Sequence, residues 1–405
     1  MSHIDDLIRD LCPDGVEFRT LEEIFETRNG YTPSKNDPEA WAGNDVPWFR
    51  MDDIRSRGRI LRDATQRIST SAVKGDKTFP AGSILVATSA TIGEHALVQV
   101  PHLSNQRFTN LAIKDNFKNS FDIKFLFYYC FKLDEWCTKN TTTSSFASVD
   151  MKGFKKFKFP IPPLEVQQEV AKTLDQFTQL EAELEAELEA RQQQYAYYRD
   201  ILVAPRSPRE SVKLGEVSHI ARGASPRPIR KFITNNDGIP WIKIGDVPPQ
   251  GKYITATAQH ISTDGAEKSR QIKPGDFILS NSMSFGRPYI SKINGCIHDG
   301  WLVISNYETT FDPDFLYHVL RSSPIQNEFA QRAGSGTVRN LNSKIVSETL
   351  VPAPPIDQQR EVVHLLDKFD LLVNDLTSGL PAEIEARRKQ YEYYRDRLLT
   401  FPEKK

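Results

Sequence analysis

Cysteine is scarce in this 405-residue chain: Cys12, Cys130, Cys137 and Cys296 form no CxxC pair, so neither a zinc site nor a disulfide framework is implied. Plain buried thiols in a reducing cytoplasm are the expectation. Long apolar runs are missing too. The longest, Phe125 to Phe131, is far too short to span a bilayer, and the opening MSHIDDLIRD is acidic without an apolar centre, which argues against export or membrane insertion. Catalytic signatures are equally thin. There is no phosphate-binding GxxxxGK loop and no HExxH, and Gly334-Ser335-Gly336 is not the GxSxG of a nucleophile elbow. The stretch DVPPQ (Asp246 to Gln250) lacks the aromatic that a methyltransferase acting on a flipped base would stack on it. Asp312 and Asp314 have no third carboxylate close by to complete a nuclease site, and helix capping explains them better. The chain is expected to do no chemistry itself and to hold no metal or cofactor.

Net charge is nearly absent as well, with 52 basic and 53 acidic residues, until it is divided along the chain. Residues 164–203 carry a net −6 and 356–400 a net −2, whereas 21–163 carry +4 and 204–355 carry +5. Charge is segregated by segment.

What the chain has instead is duplication. RQQQYAYYRDILV (Arg191 to Val203) returns as RRKQYEYYRDRLL (Arg387 to Leu399), and PIPPLEVQQEV (Pro160 to Val170) as PAPPIDQQREV (Pro352 to Val362), an offset of about 193 residues. Between these matches the halves diverge. The acidic repeats read as long helices entered through proline breakers. In the first, Leu174, Phe177, Glu181, Leu184, Leu188, Arg191, Tyr195, Tyr198 and Leu202 follow steps of alternately three and four, the spacing of a coiled-coil seam. The second keeps this seam but inserts four residues between Leu380 and Ile384; Ser378, Gly379 and Pro381 predict a break there. The two helices are expected to pair antiparallel and to place the divergent segments at opposite ends.

The divergent segments share a skeleton. VPWFRMDDI (Val46 to Ile54) aligns with IPWIKIGDV (Ile239 to Val247), and AGSILVATSATIG (Ala81 to Gly93) with PGDFILSNSMSFG (Pro274 to Gly286). Gly82 and Gly275 open short runs that read as strands, Asp312 and Pro313 read as a helix cap and first residue, and Trp48 and Trp241 as core anchors. The expected fold is α+β: two mixed α/β domains separated by two long helices forming an antiparallel coiled coil, with internal pseudo-twofold symmetry. The divisions fall at 1–20, 21–163, 164–203, 204–355 and 356–405, with the first piece packing near the helix ends.

The binding residues are polar, small or cationic. NGYTPSK (Asn29 to Lys35) supplies Thr32, Ser34 and Lys35, and the basic cluster Arg50, Arg55, Arg57, Arg59, Arg62 and Arg67 contributes Arg50. Ser89, Thr91 and Arg107 are further candidates, and NTTTSSFASVDMK (Asn140 to Lys152) adds Ser144, Ser145 and Lys152. In the second half RGASPRPIRK (Arg222 to Lys231) gives Ser225 and Arg227, followed by Lys243, Ser282, Ser284 and Arg287; AGSGTVRNLNSK (Ala333 to Lys344) gives Ser335, Thr337, Arg339 and Lys344. Lysine and arginine neutralise phosphates, while hydroxyls and arginine on rigid loops reach base edges, so these residues point to nucleic acid. On the helix endings Tyr195, Tyr198, Tyr391 and Tyr394 lie on the seam and are expected in the core; Tyr197, Arg199, Tyr393 and Arg395 are candidate anchors for a protein partner.

These duplicated motifs, with GYTPS (Gly30 to Ser34) and VPW (Val46 to Trp48), resemble the specificity (S) subunits of type I restriction–modification systems over essentially the whole chain. The second half keeps GxTPS only as Gly223, Ser225 and Pro226. The resemblance implies two target-recognition domains that read a bipartite, asymmetric site in double-stranded DNA. It further implies a non-catalytic, cytoplasmic chain serving DNA methylation and defence against foreign DNA. The implied partners are two methyltransferase (M) subunits, which carry S-adenosylmethionine and methylate adenine N6, and restriction (R) subunits using ATP and Mg. Other readings are a self-sufficient DNA methyltransferase with unfamiliar motifs, and a coiled-coil scaffold with no nucleic-acid role.

Overall fold

The computed structural model describes residues 2–142, 147–234, 237–247, 251–281, 285–334, 340–375 and 377–404. Contacts divide the chain into two compact units, Met1–Glu181 with Arg387–Lys405, and Ala182–Ala386. The division cuts across both helical repeats, so each unit owns one divergent segment and a piece of each repeat.

Unit 1 is built on a five-stranded sheet in the order Phe25–Asn29, Phe108–Ile113, Ser83–Ala87, His95–Val98, Ile60–Leu61. Unit 2 repeats this order with His219–Arg222, Trp301–Ser305, Phe277–Ser280, Pro288–Ser291 and Tyr253–Ile254. The central strands are buried on both faces, which is why their sequences are continuous apolar runs and not alternating ones. The expected glycine turns are present, with Gly82 at φ 75° and Gly275 at φ 94°, a region where a side chain would be strained. A second sheet lies in each unit, three-stranded in unit 1 and five-stranded in unit 2. It holds Trp48 and Trp241, which are 4% and 2% exposed and are core anchors, as expected.

One helix packs on the first of these sheets in each unit, Ile123–Lys139 in unit 1 and Pro313–Arg321 in unit 2. Asp122 and Asp312 cap them by accepting from the first backbone N–H groups, and Pro313 takes the first position of the second helix, as its sequence predicts. The unit 1 core joins Phe25, Ile84 and Leu111 of the sheet to Phe125, Leu126 and Leu133 of the helix and to Leu398, Leu399 and Phe401 from the end of the second repeat. Ile4 of the helix Ser2–Leu11 and Cys12 just after it belong to this same core.

The first repeat forms a single helix, Leu164–Leu202. The second is broken into Ile356–Asn374 and Leu380–Leu398 at the predicted place. Asp375 accepts hydrogen bonds from Thr377 and Ser378 in the break, and a Cβ on Gly379 would run into the Leu371 carbonyl at 2.5 Å. Within unit 1 the helical segments run antiparallel: Phe177 meets Tyr391 and Tyr394 at ring distances of 6.3 and 5.5 Å, and Glu181, further along the first segment, pairs at 2.6 Å with Arg388, further back on the second. Within unit 2, Tyr195 donates to Asp370 at 3.0 Å and Tyr198 stacks on Phe369 at 5.8 Å. One expectation needs correction. Of the four seam tyrosines Tyr195 is buried, Tyr391 and Tyr394 are half-buried, and Tyr198, stacked on Phe369, is 40% exposed.

The repeated glutamine of each proline-led motif explains how helix and sheet are joined. Gln167 accepts from Asp122 N–H at 2.9 Å and donates to the carbonyls of Ser120 and Pro162 at 2.9 and 2.8 Å. Gln359 repeats all three bonds with Asp312 N–H, Thr310 and Pro354 at 2.8, 2.8 and 2.7 Å. Both side chains are fully buried. Removing either would leave backbone groups without partners and out of reach of water. Gln167→Ala is expected to destabilise unit 1 by about 2–4 kcal/mol in urea unfolding, and Gln359→Ala to do the same in unit 2. A loss below about 0.5 kcal/mol would show that the joint does not depend on this side chain.

Candidate nucleic-acid interface

In unit 1 the candidate loops converge on the turn that leads into strand Phe108–Ile113. Gly30 N–H donates to Phe108 at 2.9 Å, Tyr31 N–H to Ser104 at 2.8 Å, and the Thr32 hydroxyl to the Gln106 side-chain oxygen. Asn105 N–H donates to the Phe49 carbonyl at 3.1 Å, which brings Arg50 to the same turn. Thr88 N–H reaches Arg107 at 2.9 Å, and Ser89 bridges to Ser148, so the segment before Lys152 joins the group. Thr32, Arg50, Ser89, Thr91 and Arg107 are thereby gathered at one end of the sheet. Thr32, Ser34, Lys35, Arg107 and Lys152 are exposed. Arg50 is half-buried, its guanidinium over the Trp48 ring at 5.8 Å and its Nε without a partner.

Four of the other five arginines of the basic cluster are tied into the unit, and Arg57 is exposed. Arg55 pairs with Glu94 at 3.4 Å, Arg59 with Asp134 at 3.3 Å, Arg62 with Gln99 at 2.9 Å and Arg67 with Asp63 at 2.7 Å. Their density in the sequence reflects internal pairing more than a free cationic face.

Unit 2 builds the same end around residues 297–301. Gly223 N–H donates to Trp301 at 2.8 Å, and the Ser225 hydroxyl to Asp299 Oδ1 at 2.7 Å. Arg227 stands 3.8 Å from Asp299, its side chain 86% exposed. Lys243 adjoins this turn, since Ile244 N–H donates to His298 at 3.3 Å. Asn281 accepts from Leu341 N–H at 2.9 Å, drawing in the segment that precedes Lys344. Arg287 lies over the Tyr289 ring at 5.5 Å. The Ser225 hydroxyl holds the Asp299 carboxyl below the usual carboxylate range, and burial pushes the His298 imidazole down, so the turn presents a carboxylate beside a neutral ring.

Seven candidates, Ser144, Ser145, Ser282, Ser284, Ser335, Thr337 and Arg339, lie outside the described residues. The four helix candidates separate into two kinds. Tyr197 and Tyr393 are 63% and 61% exposed, each set edge-on to the next tyrosine at 5.6 and 5.2 Å. Arg199 is buried and bonds Asp200, and Arg395 is folded over Phe131 at 4.6 Å and bonds Asp396. Sequence reasoning passed over Gln106 and Asp299, the acceptors of Thr32 and Ser225; continuing the aligned blocks down the chain would have paired them. Among the described residues no three or more His, Cys, Asp or Glu gather as metal ligands, and no helix is long and apolar enough to cross a membrane.

A mixed α/β unit used twice, with polar loops gathered at the same end of each sheet and long helices between the sequence blocks, defines a duplicated recognition protein. The type I restriction modification DNA specificity domain matches residues 13–190 and again 207–386. The type I restriction enzyme EcoprrI specificity subunit of Escherichia coli is 41% identical over 378 residues, 89% of each chain. The MjaIX specificity subunit of Methanocaldococcus jannaschii is 30% identical over 174 residues, 42% of this chain and 39% of that one. A chain solved in work on complex assembly and conformational transition of the type I R-M system shares the fold, with a TM-score of 0.70 at 17% identity and 96% and 98% coverage. The HsdS subunit of Thermoanaerobacter tengcongensis covers 96% of each chain at a TM-score of 0.51 and 17% identity. The chain belongs to the type I restriction–modification DNA specificity family, and its role is DNA sequence specificity and not catalysis.

Proposed function

We propose that each unit reads one half of a bipartite, asymmetric site in double-stranded DNA with the loop end described above, and that the paired helices set the length of the unread spacer. The observation that carries this reading is that equivalent loops converge at equivalent sheet ends while their side chains differ, Thr32, Arg50 and Arg107 in one unit and Ser225, Arg227 and Lys243 in the other. Identical scaffolds with unlike contact residues suit unlike half-sites. Two weak readers on one support also raise each other's effective concentration once either is bound.

Two M subunits dock through the repeated helix endings, where Tyr197 and Tyr393 recur 196 residues apart with matching exposure. R subunits join this assembly in the cytoplasm. The chain itself holds no cofactor; S-adenosylmethionine serves the M subunits and ATP with Mg the R subunits.

Lengthening the helical support tests the ruler. Four residues inserted between Thr377 and Gly379 are expected to keep both half-sites and to change the spacer, read from a genome-wide map of methylated adenines. An unchanged spacer would remove the helices from the reading of length. A wild-type map showing no motif that depends on this chain would overturn the function altogether.

A further inference from the structure

The contact between Thr32 and Gln106 in unit 1 has a counterpart between Ser225 and Asp299 in unit 2. Strand register establishes the equivalence. Ala87 faces Phe108 where Ser280 faces Trp301, and Trp48 faces Leu103 where Trp241 faces Cys296. Counting back from Phe108 and from Trp301 puts Gln106 and Asp299 at one position, two residues before the strand. Gly30 and Gly223 both press against this turn, and a Cβ on either would run into the carbonyl of Asn105 or His298. That close approach is what lets a hydroxyl two residues further along reach the side chain on the turn.

The donor is kept and the acceptor changes in kind. Gln106 is exposed, and with one oxygen lone pair taken by Thr32 it still offers an acceptor and an N–H donor. Asp299 is an acceptor only, with its side chain 46% exposed and Oδ1 engaged by Ser225. Neither side chain is needed to close its loop. Backbone bonds from Gly30 and Tyr31 do so in unit 1; in unit 2 the Asp299 main-chain carbonyl takes Asn281 Nδ2 at 2.8 Å and Arg222 Nε at 3.0 Å. A carboxylate in a surface that meets phosphates is repelled by them, so it lowers affinity unless a base donor compensates. In the major groove an amide matches the paired N6 donor and N7 acceptor of adenine, and a carboxylate matches the N4 donor of cytosine.

We propose that Gln106 and Asp299 are base-reading residues at equivalent positions of the two half-sites, Gln106 for an adenine and Asp299 for a cytosine, each aimed by its hydroxyl partner. This rests on the DNA-reading function proposed above. The test is the methylated-adenine map of cells carrying the full chain with its M partner, for wild type, Asp299→Asn, Gln106→Glu and Ser225→Ala. Asp299→Asn is expected to move one position of one half-site from cytosine toward adenine by about 10- to 100-fold in relative methylation, leaving the other half and the spacer as they are. Gln106→Glu is expected to move one position of the other half from adenine toward cytosine, and Ser225→Ala to broaden the position that Asp299 reads. Should Asp299→Asn abolish methylation, Ser225→Ala decides: broadening at one position supports the assignment and an untouched motif overturns it. Variants that leave every position unchanged, or that degrade a whole half-site together, overturn it while the wild-type motif still stands for the parent function.

Discussion

Exchanging residues 21–163 for the corresponding block of a relative with another target will replace one half of the methylated motif and leave the other half and the spacer unchanged. The joint between this block and the retained helix is suited to the exchange. Gln167 bonds only backbone groups of Asp122, Ser120 and Pro162, so that part of the connection does not depend on which side chains the incoming block carries. Other contacts do depend on them. Tyr128 donates to Asp175 at 2.8 Å, Lys124 pairs with the same carboxylate, Lys132 lies 3.4 Å from Asp396, Lys158 pairs with Glu403 at 2.7 Å and Phe131 lies under Arg395 at 4.6 Å, so the donor block should carry these positions or have them restored. Two altered base pairs cost about 2–6 kcal/mol in discrimination, which is roughly 30-fold to 20,000-fold in affinity, ample for a clean switch in a methylation map. A change in both halves would mean that the blocks do not read independently.

Stability is expected to fall by about 3 kcal/mol as pH drops from 6.5 to 4, through His102 alone. This ring is fully buried, edge-on to Phe49 and Phe79 at 5.4 and 5.5 Å. Its Nδ1–H donates to the Val100 carbonyl at 2.8 Å, and Nε2 receives Asn110 Nδ2 at 3.4 Å, a pair of bonds that only the neutral ring can make. Burial first, and Arg28 nearby, push the imidazole down to about 4. An unfolded histidine takes its proton near 6.5, so between those values the unfolded state holds more protons and acid favours unfolding; above about pH 7 the contribution is complete and flat. Burial also lowers His298 and His318 in unit 2, which acts in the same direction there. Urea unfolding at pH 7.5, 6 and 5 measures the slope, and His102→Gln, uncharged throughout, should flatten the part belonging to unit 1. Equal slopes in the two proteins would exclude His102 as the source.

The duplication, the long helices with their single break, the capped helix behind Asp312 and the paired tryptophans were all legible in the sequence. They rest on local rules: proline entry, three-four spacing, side-chain caps and glycine turns act within a few residues of themselves. The site was legible as a set of loops and not as a set of contacts. Thr32 and Ser225 stood out through their motifs, whereas Gln106 and Asp299, 74 residues from each, carried no local signal. Arg55, Arg59 and Arg62 misled in the other direction, since their partners Glu94, Asp134 and Gln99 come from elsewhere in the chain.

By itself the sequence determined the composition of the protein: one sheet domain written twice, two helical repeats, and surfaces free to differ between the copies. The tertiary structure decided which loops share a turn, which arginines are already neutralised, and which tyrosines of the repeat stand outward. Periodicity and caps are short-range properties that a chain displays before it folds. Hydrogen bonds across 74 residues exist only after strand register has brought their ends together.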